Sequence, residues 1–273
     1  MLRGSRRRRP RAAHALLPVA SRLARVALPA ALALAALSGS ASGQATFTIS
    51  RVQVFLSNAV KSEVLTLSNV SNAPLRFQLS VFAWDQNPQG EMVLTPTRDI
   101  VFFPPLLSLA AGEQRNIRVG TATPPGATEK TFRLFVEELP PVAAGPSAGV
   151  PGEVKIRTRL GIPIFLAPTQ PASGGRVDAL AVRDGRVSFE LKNTGNVHLM
   201  AQTIRVIASG QGGEVVTETA LEGWYLLAGG TRLYDLELPR DKCPSVHAIA
   251  VEVTTAQAVY SGRLAVPSGA CRP

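Results

Sequence analysis

Few residues of this chain could do covalent or metal chemistry, and their spacing argues against it. The three histidines, His14, His198 and His247, lie far apart, and none belongs to a metal-ligand motif. Two cysteines, Cys243 and Cys271, are too few for a zinc centre, which takes four ligands. No serine stands in a Gly-x-Ser-x-Gly turn, and no glycine-rich loop leads a strand into a helix. Glu137 and Glu138 are neighbours in a strand-like run, so their carboxylates point to opposite faces and cannot work as an acid/base pair. The chain therefore reads as no enzyme, with no cofactor and no metal.

The chemistry that remains is recognition by a strand. In "VKIRTRLGIPIF", Val154 to Phe165, one face carries Val154, Ile156, Thr158, Leu160, Ile162 and Ile164. The other carries Lys155, Arg157, Arg159, Gly161, Pro163 and Phe165. Cations and a proline suit an edge strand, where they deter unwanted pairing. So long an apolar face on an edge needs a partner: its own sandwich, or a groove on another protein.

The elements that hold this strand read as β-structure throughout. From Thr46, "FTISRVQVFL", "EVLTLSNV", "LRFQLSVFAW", "EMVLTP", "QRNIRVG" and "TFRLFVEEL" precede it, which gives the seven strands of an immunoglobulin-like sandwich. The stretch from Pro141 to Gly152, rich in Pro, Gly and Ala, reads as a loop. After "APTQPASGGR" the pattern resumes with "VDALAV", "RVSFELKN", "HLMAQTIRVIA", "EVVTETA", "TRLYDLEL", "HAIAVEV" and "AVYSGRLAV". Asp184-Gly185 is a tight-turn signal between the first two of these. The fold class is all-β: two consecutive immunoglobulin-like sandwiches, 44–168 and 169–273, after a leader of residues 1–43.

That leader also explains the charge. The chain of 273 residues has a formal net charge of +10. Eight arginines and no acid lie in the first 43 residues, leaving 29 − 8 = 21 basic against 19 acidic residues, a net of +2. Nucleic acid is thus not the expected partner. An arginine-rich start, the apolar run "VALPAALALAAL" and the small residues "SGSASGQA" read as a cleaved secretory signal peptide. The run is short for a spanning helix, so no stable membrane insertion is expected and the mature protein reads as exported. In an oxidising compartment Cys243 and Cys271 are expected to pair, closing the last strands.

The first half resembles the PapD-like periplasmic pilus-assembly chaperones. The resemblance rests on "SRVQV", "LTLSNVSNAPLRFQLSVFAW", "TRDIVFFPPLLSLAAGEQRNIRVG", "TEKTFRLFVEELPP" and "VKIRTRLGIPIFLAP", covering Phe47 to Pro168. "LPP" and "IPIF" are most similar to the archaic chaperone–usher class, which serves spore-coat-U-like pilins. "FELKNTGNVHL" resembles the family's second domain. The resemblance implies a chaperone that lends its edge strand to a pilin subunit lacking one, and passes the subunit to an outer-membrane usher. Val154, Ile156, Thr158 and Leu160 would be the donor residues, with each aliphatic chain worth about 1.5–3 kcal/mol on burial. The subunit's terminal carboxylate would be anchored by Arg51 on the first strand. The usual lysine of the last strand is replaced by Pro163, and Arg159 is the substitute expected from the sequence. Arg157 and Lys155 read as gatekeepers of the edge. Arg118 and Glu129 align with positions that hold strands or domains together, and Trp84 reads as core. The alternative is an exported structural or adhesive module of a surface fibre, though such a subunit usually donates an N-terminal extension rather than an internal strand.

Overall fold

Burial alternates along most strands, as a pleated sheet with one face on a core requires. In Arg186–Asn193, for example, Val187, Phe189, Leu191 and Asn193 are buried and the residues between them are not. The structure is a computed structural model that describes residues 46–140, 157–267 and 269–271. The leader (1–43), the loop from Pro141 to Gly152, and Val154 and Ile156 lie outside the described residues.

The first sandwich runs β1 (Phe47–Ile49), β2 (Val54–Leu56), β3 (Ser62–Asn69), β4 (Leu75–Gln86), β5 (Met92–Pro96), β6 (Ile100–Phe103), β7 (Leu106–Leu109), β8 (Gln114–Thr121), β9 (Lys130–Glu138) and β10 (Arg159–Leu166). One sheet has the order β1-β3-β8-β6; the facing sheet has β2-β10-β9-β4-β5, with β7 also paired to β4. Leu65, Leu67, Phe77, Ile117, Leu134 and Ile162 fill the space between them.

Ten strands replace the expected seven: the first run splits in two, and β6 and β7 had no counterpart among the seven. "FTISRVQVFL" breaks at Ser50–Gln53, so β1 joins β3 in one sheet while β2 joins β10 in the other, in parallel. Pro104-Pro105 sits between β6, which pairs β8, and β7, which pairs β4. Proline has no N–H to give a ladder, so the crossing falls where the ladder is already interrupted.

The second sandwich runs β11 (Gly175–Arg183), β12 (Arg186–Asn193), β13 (Leu199–Met200), β14 (Thr203–Ser209), β15 (Val215–Glu222), β16 (Tyr225–Leu226), β17 (Thr231–Glu237), β18 (Ala248–Thr254) and β19 (Val259–Ala265). Its main sheets are β11-β12-β17 and β15-β14-β18-β19, with β13 paired to β16. The run "HLMAQTIRVIA" splits into β13 and β14, and β16 had no counterpart in the sequence reading. Asp184 (φ 49°) and Gly185 (φ 72°) make the two-residue turn from β11 to β12, the positive-φ pair that matches strand twist. Cys243 and Cys271 are disulfide-bonded, with Cα atoms 5.6 Å apart.

The two sandwiches meet over a small third core of Trp84, Phe165, Tyr225 and Leu227. Polar ties surround it. Gln86 Nε2 donates to the Tyr225 carbonyl (3.0 Å), and the Leu227 N–H donates to Gln86 Oε1 (3.1 Å).

Candidate functional site

Strand β10 is half core and half open edge. On one side it pairs β9 from Arg159 to Leu166, Arg159 opposite Glu137 and Leu166 opposite Lys130. On the other it meets β2 only at Ile164, Phe165 and Leu166. Among the described residues, Arg159 to Pro163 therefore have one neighbouring strand, not two. The Glu138 N–H donates to the Thr158 carbonyl (3.0 Å), so even-numbered residues turn their main-chain groups toward β9. The odd-numbered Arg159 and Gly161 turn N–H and C=O outward, and Pro163 turns out a carbonyl alone.

Side chains follow the same parity. Ile162, Ile164 and Leu166 are buried in the first core, and Leu160 is half-buried against it. Thr158 is exposed. Of the expected donors, then, Leu160 already packs on its own sandwich and Thr158 stands free. On the odd face Arg159 is exposed, while Pro163 and Phe165 are buried.

The expected anchoring cations are both engaged with acids. Arg51 is not in a strand; it lies on the crossover between β1 and β2, with its side chain 56% exposed and Nη2 3.8 Å from Glu63 Oε2. Arg159 Nε lies 3.5 Å from Glu137 Oε2, and its guanidinium covers the Phe135 ring at 3.9 Å. Phe132 and Phe135 face opposite ways, Phe132 into the first core and Phe135 outward beneath Arg159.

A third arginine was not singled out in the sequence. Arg133 of β9 stands opposite Pro163 of β10. It is 8% exposed, and its guanidinium lies 4.6 Å from the centre of the Trp84 ring. Arg133 Nε and Nη1 and the Trp84 indole Nε1 are buried and find no hydrogen-bond partner among the described residues. Burial pushes the pKa of Arg133 down from the ordinary guanidinium value, an effect that Tyr225 partly offsets. The available signal was a lone cation within the apolar run "TFRLFV".

Other residues hold the frame. Glu129, whose side chain is 4% exposed, accepts hydrogen bonds from the His198 backbone N–H (3.0 Å) and meets His198 Nδ1 at 2.8 Å. The His198 ring stacks on Phe165 at 3.8 Å. Glu129 and His198 thus tie the two sandwiches, and Arg118 donates to Ser62 Oγ (3.2 Å) between β8 and β3. Among the described residues no cluster of His, Cys, Asp and Glu could hold a metal, and no helix is long and apolar enough to cross a membrane.

A strand edge with one neighbour can, on general grounds, accept a further strand. Residues 46–172, the first sandwich, match the model of the PapD N-terminal domain of the pili and flagellar-assembly chaperones. In fold the chain is similar to the CsuC-CsuE chaperone-tip adhesion subunit pre-assembly complex of the archaic Csu pili of Acinetobacter baumannii. That match has 18% identity over 80% of this chain and 98% of the other, with a TM-score of 0.57. It is similar also to the YadV chaperone (16% identity, 81% and 100% covered, TM-score 0.54). A third match is the Salmonella enterica SafA pilin in complex with the SafB chaperone (17% identity, 82% and 99% covered, TM-score 0.52). Among curated proteins none matches the chain by sequence.

Proposed function

We propose that this chain is a periplasmic chaperone that binds, folds and caps pilin subunits by donor-strand complementation and delivers them to an outer-membrane usher. The observation that carries the reading is the open edge of β10 from Arg159 to Pro163, set in the fold of pilus chaperones. Exposed main-chain groups there can pair with an incoming strand, and the alternate side chains add the specificity.

In this reading Val154, Ile156 and Thr158 fill the subunit's groove, while Leu160 marks the hand-over from the subunit's core to the chaperone's own. Arg51 and Arg159 serve the subunit's terminal carboxylate by exchanging their exposed partners, Glu63 and Glu137, for it. The partners are spore-coat-U-like pilins of an archaic system, and a cleaved leader delivers the chaperone to the periplasm. No observation on the structure favours the fibre-module alternative.

The test is co-purification with candidate pilins. Ile156→Asp would place an unpaired charge in an apolar groove, so it abolishes capture while the variant still folds. Undiminished capture by that variant would overturn the reading.

A further inference from the structure

Gly161 is the one glycine of β10, and neither its backbone nor its pairing requires it. Its φ is not positive. The register with β9 runs unbroken from Arg159 opposite Glu137 to Leu166 opposite Lys130, with no bulge. Glycine weakens a strand, so where no turn or bulge needs it, it marks the close approach of another group. That group is on the same face. A Cβ at Gly161 would stand 3.1 Å from Phe135 Cε1 and 3.2 Å from Arg133 Nε. Glycine lets the ring of Phe135, its partner on β9, lean across β10.

The lean has a direction. β9 lies on one side of Gly161 and the open edge on the other, so the ring leans toward the edge. A strand added along Arg159–Pro163 would set one side chain beside Gly161 on this face, whichever way it ran, because paired strands keep their pleats in phase. With no side chain at Gly161, that residue would meet the Phe135 ring. The surroundings of the ring define what fits. Phe82 stands edge-on to it, with centroids 6.0 Å apart, and the Arg159 guanidinium covers it at 3.9 Å. Arg133 and Arg159 flank the position, which disfavours a cation, and Glu137 already lies 3.5 Å from Arg159, which disfavours an acid. An aromatic side chain suits both guanidinium groups through its face and offers the largest apolar area for the fewest rotors. Arg159 is half exposed, so it can swing off the ring without stranding a buried charge.

We propose that Gly161, Phe135 and Arg159 form a side-chain seat on the β10 edge that selects an aromatic residue in the partner strand. The inference rests on the donor-edge reading for the presence of that strand, and adds which side chain it carries. Gly161 makes the room, Phe135 is the floor, and Arg159 covers the floor while the edge is empty. A charged cover also guards the free edge against unwanted pairing.

The experiment measures binding of fluorescein-labelled heptapeptides to the protein by anisotropy. The peptides are Ser-Thr-Ser-X-Ser-Thr-Ser amides, with X as Phe, Leu, Ser, Glu or Lys; the amide leaves no terminal carboxylate. Phe at X should bind about fivefold more tightly than Ser, with Leu between them and Glu and Lys no better than Ser. Gly161→Ala, whose Cβ meets the ring, should shrink the advantage of Phe over Ser to less than about twofold. Phe135→Leu should make Phe and Leu equal. Should either variant fail to fold, the wild-type ranking decides alone. Equal binding of Phe and Ser, tighter binding of Glu or Lys than Phe, an advantage of Phe that survives Gly161→Ala, or no binding of any peptide overturns the seat. No pilin enters this test, so its failure is separate from failure of the chaperone reading, which the Ile156→Asp capture experiment examines.

Discussion

The two sandwiches are built around the same corner. In the first, buried Asn69 donates through Nδ2 to the carbonyls of Ala73 (2.8 Å), Leu109 (3.2 Å) and Ala110 (2.9 Å), and accepts from the Ser71 N–H (2.9 Å). In the second, buried Asn193 donates to Val197 (2.8 Å), Leu226 (3.0 Å) and Leu227 (3.0 Å), and accepts from the Gly195 N–H (2.9 Å). "LSNVSNAPL" and "LKNTGNVHL" are thus two versions of one device: an amide that pins the end of a strand to a distant turn. The sandwiches differ in what they leave unpaired. In the second, Lys192 pairs with Asp178 and Glu190, Arg205 with Glu218 and Glu252, and Arg186 with Asp235, and no buried cation there lacks a partner among the described residues. Among the described residues, the first keeps a strand edge with one neighbour and a buried arginine, Arg133, without a hydrogen-bond partner for Nε and Nη1. One building block is closed where its polar groups are satisfied and, in the proposed reading, open to a partner where they are not.

The largest effect expected from breaking this comparison is confined to the second sandwich. Replacing both Cys243 and Cys271 with serine opens a loop spanning a separation of 28 residues. The chain-entropy argument gives a loss of about 3–4 kcal/mol. Urea unfolding should show that loss, while pilin capture by the folded fraction stays intact. A capture defect in proportion to the stability loss would mean that the second sandwich shapes the binding edge.

Next come the two asparagines. Asn69→Ala and Asn193→Ala each strand several buried carbonyls, and each should cost about 2–3 kcal/mol in urea denaturation. Equal costs sharpen the analogy between the corners. A loss at only one of them would break it.

The smallest effect belongs to Arg159→Ala. Its ion pair with Glu137 is half exposed on both sides, and with the Phe135 contact its removal should change stability by under about 1 kcal/mol. Thermal melts of the two proteins would detect a larger role.

How much of this was legible in the sequence depended on range. Period-two patterns located most strands, because alternation is a local consequence of the pleat. "RVSFELKN" reads directly as β12, and Asp184-Gly185 as the turn before it. Crossovers did not show. Ile49, Val52, Val54 and Leu56 give no sign that the chain leaves one sheet at Ser50 and enters another at Val54. The same holds for Ile100–Phe103 and Leu106–Leu109, short strands hidden by the prolines between them. The cleft was least legible of all. Arg133 is buried against the Trp84 ring of β4, a contact that no spacing along the chain encodes. Arg51 and Arg159 could be located by alignment to a pattern, but the acids beside them, Glu63 and Glu137, became neighbours only through strand pairing.

The central claim is that β10 offers its open edge to a partner strand. It is tested most directly by amide hydrogen exchange in the free protein and in complex with a co-purifying pilin. The outward-facing amides of Arg159 and Gly161 should exchange at least tenfold more slowly in the complex, while the amides of β19 keep their rates. Unchanged exchange at Arg159 and Gly161 in a complex that has demonstrably formed would contradict the account, because the subunit would then be held by some surface other than the donor edge.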